Sequence, residues 1–302
     1  MRITLIHNPN AGNGVPTGKA LRKLLKAEGY KVRYHSTKEG GLRAVLRKAA
    51  RFVVVAGGDG AVTRVARHLI GSGTPIAVLP LGTANNVAHS LGIADVPLEK
   101  LVKSWKDARR VRFDSGRVRG GFGRRRFIEG FGIGLFAWTM PQAEDSKTLA
   151  KKGSPKGAVA HVLRMLEERL ERYRSHALRA RLDNRDLSGR YLMFEAMNLP
   201  YIGPHLHLAP GVKPGDGMLH VVAIRSGQRA KLRSYLERWR KGESPRVKLP
   251  TFHGKRLRIA PGDYDTHVDD KLIAASNGQR AKAGRGIEVT IEPGTLEFLL
   301  PR

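Results

Sequence analysis

Three glycine-containing turns carry the residue types in this sequence that best suit phosphate chemistry. They span residues 8–12, 57–60 and 80–86, and each follows a short apolar run. Glycine lets backbone amides approach a phosphate closely, and the N-terminus of a following helix adds positive potential. Because the carboxyl ends of parallel strands meet at one edge of a sheet, we expect the three turns to converge. Together they predict a phosphate-binding site, whereas one glycine turn alone predicts only a turn.

Asp59 is the acidic residue within these turns, and it has Gly58 and Gly60 on either side. One interpretation is a helix N-cap, because an aspartate accepts hydrogen bonds from the free amides of a first helical turn. The other is a carboxylate beside the phosphates, where it would orient Mg²⁺ or a hydroxyl group. We favour the second interpretation, because a capping residue does not need glycine on both sides.

The elements that must position these turns follow from the hydrophobic pattern. Residues 1–112 alternate short apolar runs with helical patterns, which predicts an α/β domain with a parallel sheet. Residues 113–294 contain short strand-like stretches and predict a β-rich second domain, and the last strand, near 295–302, could return to the first. Helical patterns interrupt the second domain around 159–173 and 232–239. The polar, lysine-bearing segment at 142–157 is predicted to be a mobile loop.

The composition restricts the possible partners. The 302 residues include 55 Lys and Arg against 26 Asp and Glu, a formal net charge of +29, and no cysteine. The charge favours anionic partners, whether nucleotide, nucleic acid or an anionic membrane surface. The lack of cysteine excludes a disulfide scaffold, a cysteine-ligated metal and a cysteine nucleophile. No apolar run reaches the roughly 18 residues of a membrane-spanning helix, so we expect a cytoplasmic protein that associates peripherally with a membrane.

The three turns carry a resemblance to a known family. The segments Asn8-Pro9-x-Ala11-Gly12, Gly57-Gly58-Asp59-Gly60 and Pro80-x-Gly82-Thr83-x-Asn85 resemble the diacylglycerol kinase catalytic family, which includes sphingosine kinases and bacterial lipid kinases. Thr37 matches that family's nucleotide-contacting threonine. In the second domain, residues 127–134, 214–219, 268–271 and 287–301 resemble further family segments. The resemblance covers nearly the whole chain.

The resemblance implies an NAD kinase-like α/β domain followed by a β-sandwich. It also implies an ATP-dependent lipid kinase that acts on diacylglycerol or a sphingoid base. ATP would lie between the two domains. The implied nucleotide contacts are Asn8, Thr37, Gly57, Gly58, Gly60, Thr63, Gly82, Thr83, Asn85 and Lys271. An implied Mg²⁺ site uses Lys213, Asp216 and Met218, the outer two through backbone carbonyl groups.

The sequence departs from the family pattern at positions that matter for catalysis. Ala61 replaces a threonine, Asn86 replaces an aspartate, and Lys271 stands where the family has a glutamate that is a usual candidate for the catalytic base. A protonated lysine could bind phosphate but could not readily accept a proton. The remaining candidate bases are Asp59, Asp269 and Asp270. An alternative is therefore a nucleotide-binding member of the family that transfers phosphate weakly or not at all.

Two further alternatives come from other classes of protein. NAD kinases also carry a Gly-Gly-Asp-Gly turn, although the third turn and the second-domain segments resemble the lipid kinases. Residues 117–126 alternate arginine with glycine as some RNA-binding segments do, but we interpret them as a basic hairpin. The helix around 232–239 is basic and amphipathic, so it suits either an anionic lipid surface or a buried stripe. We expect a lipid substrate and an anionic membrane as partners and no specific nucleic acid, and the oligomeric state stays open.

Overall fold

Two compact units make up the described part of the chain. The computed structural model describes residues 1–141, 155–243, 248–273 and 285–302. The first unit contains residues 1–115 together with 293–302, and the second contains residues 116–292. Most of the predicted loop at 142–157 lies outside the described residues, and residues 155–157 begin a helix. None of the described helices is long and apolar enough to span a membrane.

The first unit is built on a parallel sheet, as predicted. Its strands are β1 (Arg2–His7), β2 (Lys31–Ser36), β3 (Val53–Gly57), β4 (Ile76–Pro80) and the end of the last strand, β17 (Ile287–Leu300). The order is β17-β4-β3-β1-β2, and every pairing is parallel. The three strands β1, β3 and β4 are almost entirely buried, as expected for continuous apolar runs in a parallel sheet.

Helices alternate with these strands along the chain. They are α1 (Gly18–Ala27), α2 (Leu42–Arg47), α3 (Asp59–Leu69), α4 (Asn86–Ser90) and α5 (Leu98–Ser104). The Thr17 hydroxyl caps α1 by accepting a hydrogen bond from the Ala20 amide at 3.2 Å, which is the capping role its position predicts. Helices α3 and α4 begin directly at the second and third glycine turns, so their N-termini point at those turns.

The last strand is fastened to the first unit by a buried aromatic contact. Strand β5 (Arg109–Gly120) brings Phe113 to within 4.8 Å of Phe298, centroid to centroid. Nearby, the Gly294 amide donates to the Asp114 carboxylate at 2.7 Å, and the hydroxyl groups of Ser115 and Thr295 lie 2.8 Å apart. The C-terminal end of the chain is therefore part of the core of the first unit.

The second unit is β-rich, as predicted, and its two sheets share one core. Its remaining strands are β6 (Gly123–Phe127), β7 (Gly130–Gly134), β8 (His176–Leu178), β9 (Ala180–Leu182), β10 (Arg185–Asp186), β11 (Gly189–Met197), β12 (Leu219–Arg225), β13 (Thr251–Gly254), β14 (Arg256–Ile259), β15 (Thr266–Val268) and β16 (Lys271–Ile273). One sheet has the order β6-β5-β17-β14-β9-β10, and the other has the order β13-β12-β11-β7-β15-β16 with β8 beside β11. Apolar side chains of both sheets, such as Val118 and Phe194, form the core between them.

Two helices cover the other face of the second sheet. In α6 (Pro155–Arg172) and α7 (Arg229–Arg240), leucine side chains pack on apolar residues of β11 and β12. The arginines of α7 are paired with α6: Arg233 contacts Glu171 at 2.6 Å and Arg240 contacts Glu167 at 2.8 Å. Of the two roles predicted for the 232–239 helix, the structure shows the buried stripe, which consists of Leu232, Tyr235 and Leu236.

A buried ion pair lies in the centre of the second sheet. The Nε2 atom of His267 on β15 lies 2.8 Å from the Glu195 carboxylate on β11, and both side chains are fully buried. The Nδ1 atom of His267 contacts the Asp269 carbonyl oxygen at 3.0 Å. Burial lowers the pKa of His267, but the Glu195 charge, its hydrogen bond and the Asp269 contacts outweigh that effect, so the pKa is raised above its ordinary value of 6.5.

This pair predicts a pH-dependent stability of the second unit. Because the pKa of His267 is higher in the folded protein than in the unfolded chain, the pair stabilises fully below pH 6.5. Its contribution is lost as the pH rises through the raised pKa. We expect the midpoint of thermal unfolding to fall as the pH rises above 6.5, and Glu195→Gln to remove that slope. A wild-type midpoint that stays constant over this range would contradict the assignment.

Candidate functional site

The three glycine turns lie together at the carboxyl ends of β1, β3 and β4. The Leu81 amide donates to the Gly57 carbonyl at 3.0 Å, and the Asn8 amide donates to the Ala56 carbonyl at 2.9 Å. Gly58 and Gly82 meet backbone to backbone: a Cβ atom on Gly58 would lie 2.9 Å from the Cα of Gly82. Only two glycines permit this approach, and it brings the second and third turns into one surface of backbone amides.

The first turn completes that surface. Gly12 has a φ of +59°, a left-handed conformation that favours glycine, and a Cβ atom there would lie 3.5 Å from the Leu81 carbonyl oxygen. A Cβ atom on Gly57 would lie 3.3 Å from the Cβ of Asn8 and 2.8 Å from that of Ala61. Ala61, which replaces the family's threonine, is therefore in direct contact with the second turn, and its small size suits that packing.

Asp59 links the second turn to the third. It is the first residue of α3, and its carboxylate accepts a hydrogen bond from the Val87 amide at 3.0 Å. The Asn86 amide also donates to it. Asp59 thus caps the neighbouring helix α4. Neither of the two interpretations of the sequence, a helix N-cap or a carboxylate beside phosphates, specified a cap on a different helix. Burial raises the pKa of the Asp59 carboxyl, and the amide hydrogen bonds lower it by less, so the pKa lies above the usual range.

The other predicted contacts of the third turn differ in their surroundings. Asn85, with a φ of +50°, accepts from the Gly82 amide and donates to the Gly82 carbonyl, each at 2.9 Å. Its side chain therefore shapes the turn, and the amide nitrogen of Gly82 is already engaged by it. Thr83 is exposed at the tip of the turn. The backbone amides that are available to bind a ligand must therefore belong to the other residues of the turns.

Two predicted threonine contacts lie at the edges of this surface. The Thr37 amide donates to the His7 carbonyl at 2.8 Å, which places the half-buried Thr37 beside the end of β1. Thr63 is fully buried, and its hydroxyl contacts the Gly60 carbonyl at 3.4 Å and the Arg67 guanidinium at 3.3 Å. The prediction of a nucleotide contact at Thr63 is therefore corrected: its side chain supports the second turn from within α3.

The turn after β15 holds the acidic candidates of the second unit. The Asp269 carboxylate accepts hydrogen bonds from the amides of Ile128, Glu129 and Gly130 at 2.8–3.3 Å, and the side chain is buried. Asp269 therefore anchors the backbone of residues 128–130, a role that the residue type alone does not predict. Asp270 is half-buried, and its carboxylate lies 3.8 Å from the ammonium group of the exposed Lys271.

The residues of the implied Mg²⁺ site lie in the turn that precedes β12, where protein groups hold the Asp216 carboxylate. Both carboxylate oxygens of Asp216 have partners: the Met218 amide at 2.9 Å and the Nε2 atom of His220 at 2.8 Å. The Lys213 carbonyl accepts from the Asp216 amide at 3.1 Å. Within the described ranges, no group of three His, Asp or Glu side chains could hold a metal ion. His220, four residues after Asp216, is the partner that sequence reasoning missed.

A parallel sheet with converging glycine turns, followed along the chain by a two-sheet β unit, is the combination of the NAD kinase-like fold. Residues 2–118 match the family described as "Diacylglycerol kinase catalytic domain". Residues 143–300 match the "YegS C-terminal NAD kinase beta sandwich-like domain". The chain belongs to the family of diacylglycerol and YegS lipid kinases. This membership supports a phosphotransferase that acts on lipids.

Individual relatives agree with this assignment along the whole chain. The "Diacylglycerol kinase" of Mycobacterium tuberculosis strain H37Rv is 23% identical, with 100% of this chain and 96% of that protein covered. The "Probable lipid kinase YegS-like" of Cronobacter sakazakii is 24% identical, with coverage of 98% and 95%. A crystal structure of a diacylglycerol kinase from Bacillus anthracis shares the fold, with a TM-score of 0.67, 18% identity and coverage of 99% and 96%. Yeast NADH kinase shares it at a TM-score of 0.56, 10% identity and coverage of 100% and 84%.

The close approach of Gly58 and Gly82 yields a testable prediction. In Gly82→Ala the added methyl group would overlap the Cα of Gly58 and push the two turns apart. Overpacking of this kind typically costs about 1–3 kcal/mol, so we expect binding of an ATP analogue to weaken about 10- to 100-fold in calorimetry. The matched control is Gly227→Ala, whose added methyl group meets no atom within 4 Å. Equal affinities for the two variants would contradict the role of this contact.

Proposed function

We propose that the protein is an ATP-dependent lipid kinase that transfers the γ-phosphoryl group to a hydroxyl of diacylglycerol or a sphingoid base. The observation that carries the proposal is the convergence of three glycine turns around the Asp59 carboxylate, at the N-termini of α3 and α4. The names of the relatives support the lipid class of acceptor.

The glycine turns suit the phosphate end of ATP. Phosphoryl transfer needs mainly positioning and neutralisation of charge. Backbone amides at glycine turns supply both without side chains, and the eleven-residue helix α3 adds the positive potential of its N-terminus. Mg²⁺ bound with the nucleotide would neutralise further phosphate charge.

Asp59 is also the best-supported acceptor of the hydroxyl proton. A general base works best when its pKa lies near the working pH, and burial raises the pKa of the Asp59 carboxyl. Asp269 is engaged by three backbone amides. Asp270 lies beside the ammonium group of Lys271. We therefore assign the proton to Asp59 and an anchoring role to Asp269.

A second candidate function has an observation of its own. Lys271 occupies the position of the family's glutamate and is 68% exposed, and a protonated amine there can contact phosphate but does not accept a proton. A family member that binds ATP and transfers its phosphate slowly would have this arrangement. The two candidates differ in rate and agree on the nucleotide site.

The direct experiment offers several acceptors to the purified protein. Labelled ATP is incubated with diacylglycerol, sphingosine and NAD, and the products are separated. We expect label in a lipid product, and Asp59→Asn should lower that rate by about 10²–10⁴-fold, the usual contribution of a general base. The amide keeps an oxygen for the Val87 hydrogen bond, so the fold should persist. The exposed Asp95→Asn is the control. Label found only in NADP would refute the lipid acceptor.

Lys271→Glu distinguishes the two candidate functions. If the chain is slow because it lacks the family's glutamate at this position, the substitution should raise the rate of transfer by up to about 10²–10⁴-fold. If Lys271 contacts phosphate, the same substitution should raise the KM for ATP and lower the rate. The charge-matched control is the exposed Lys231→Glu on α7. Identical kinetics for both variants would show that the turn after β15 does not reach the reacting groups.

A further inference from the structure

Eight arginines form a continuous surface on the outer face of the β6-β5-β17-β14-β9-β10 sheet. Side chains alternate along strands, and here apolar residues such as Val118 and Leu257 face the core while arginines face outward. This surface, called the arginine face below, comprises Arg117, Arg119, Arg124, Arg126, Arg179, Arg181, Arg256 and Arg258.

Few carboxylates neutralise the arginine face. Glu292 lies 3.1 Å from Arg117 and 3.2 Å from Arg126, and Glu288 lies 3.2 Å from Arg119 and 3.6 Å from Arg258. Each glutamate is thus shared by two arginines. Exposed pairs of this kind hold little energy.

Of the other four arginines, only Arg181 lies opposite a carboxylate, that of Asp186 on β10. Arg124, Arg179, Arg181 and Arg256 form no ion pair with any residue in the described part of the chain. The arginine face therefore keeps a substantial positive charge.

The placement of these arginines works against the stability of the sheet. Arg117 lies opposite Arg126, Arg119 lies opposite Arg124, and in β9 and β14 Arg181 lies opposite Arg258. Like charges directly opposite each other on neighbouring strands are destabilising. Arg258 also lies opposite Glu288 and Arg181 opposite Asp186, but the three like-charged pairs leave an excess of positive charge that an external anion would neutralise.

The arginine face has depressions of a size that suits phosphate groups. One, of about 640 Å³, is bordered by Arg119, Arg179, Arg181 and Arg258, with Asp186 and Glu288 also in its lining. A neighbouring one of about 480 Å³ has Arg117, Arg256 and Lys255 at its edge. A guanidinium group presents a planar fork of donors that matches two phosphate oxygens, which an ammonium group cannot do.

We propose that the arginine face docks the protein on the anionic phospholipid headgroups of a membrane. The proposal rests on the proposed function, because a lipid kinase must meet its acceptor in a bilayer. The charge and the broad, two-dimensional arrangement over six strands complement a layer of phosphodiesters. Single-stranded nucleic acid, in contrast, is held by aromatic stacking, and the outward-facing described residues of these strands include no aromatic side chain.

The arginine face differs from the other basic surface of the second unit. On α7, Arg233 and Arg240 each have a glutamate of α6 as partner, and Arg229 donates to the carbonyl groups of Leu170 and Tyr173. These charges are satisfied within the protein. The docking charge is therefore assigned to the sheet and not to the helix.

The test is sedimentation of the full chain with vesicles of equal parts phosphatidylglycerol and phosphatidylcholine. We expect binding that weakens as salt rises and no binding to pure phosphatidylcholine. The variant Arg124→Gln/Arg181→Gln/Arg256→Gln removes three arginines without an ion pair and relieves two like-charged cross-strand contacts, so its midpoint of thermal unfolding should be no lower than that of the wild type. Each should weaken vesicle binding about fivefold, for a total loss of about 10²-fold.

The matched control removes the same charge from the opposite side of the second unit. Arg164, Arg172 and Arg174 are exposed on or just after α6. Their change to glutamine lowers the net charge equally and should weaken vesicle binding by far less. Equal losses in the two triple variants would mean that total charge binds the vesicle, and would overturn the proposal. Loss of RNA binding in a gel shift with unchanged vesicle binding would assign the face to nucleic acid instead.

An assay in neutral detergent micelles separates this proposal from the kinase proposal. With the lipid acceptor in micelles, the arginine-face variant should phosphorylate at the wild-type rate. A wild-type protein that binds anionic vesicles and transfers no phosphate in micelles would refute the kinase function and leave the docking surface standing. A protein that is active in micelles but does not bind anionic vesicles would refute the docking surface and leave the kinase function standing.

Discussion

The backbone contact between Gly58 and Gly82 is the constraint on which the candidate site depends. It holds the ends of β3 and β4 so close that neither position has room for a Cβ atom. The hydrogen bond from the Leu81 amide to the Gly57 carbonyl and the Asp59 cap on α4 lie on either side of it. Without this contact the two turns would still follow their strands, but their amides would not form one surface.

Asp59 and Asp269 both hold backbone amides, and this shared role bears on the choice of proton acceptor. Asp59 joins α3 to α4, and Asp269 gathers the amides that precede β7. A carboxylate that accepts several amide hydrogen bonds favours its charged form. At Asp59 burial outweighs those hydrogen bonds and raises the pKa, so of the two it is the one suited to exchange a proton. The difference between Asp59 and Asp269 matters because Lys271 replaces the family's glutamate, the usual candidate for the catalytic base.

The hydrophobic pattern of the sequence predicted the architecture, because short-range patterns of apolar residues specify which segments form buried strands. Continuous apolar runs specify buried parallel strands, and the structure confirms the parallel sheet and the β-rich second unit. The cap at Thr17 and the basic hairpin of β5 and β6 also follow from short-range chemistry. The convergence of the turns follows from the rule that parallel strands end at one edge.

The features that sequence reasoning missed depend on which strands become neighbours. The partner of Asp216 is His220, four residues along the chain, and their contact requires the bend into β12. The pairing of His267 with Glu195 requires β15 and β11 to lie on either side of β7. The arginine face is the clearest case. The hairpin contributes only half of its arginines, and the rest arrive through the register of β14 and β9, which no local pattern encodes.

Amide hydrogen exchange with a non-hydrolysable ATP analogue tests most directly whether the converging turns bind phosphate. If their amides hold the phosphates, exchange should slow at residues 57–60 and 83–85 when the analogue binds. The glycine turn at residues 71–73, which lies at the other end of β4, should exchange at an unchanged rate and serves as the internal control. Protection at residues 57–60 and 83–85 is the result predicted here. Binding of the analogue with unchanged exchange at these residues would contradict the central claim.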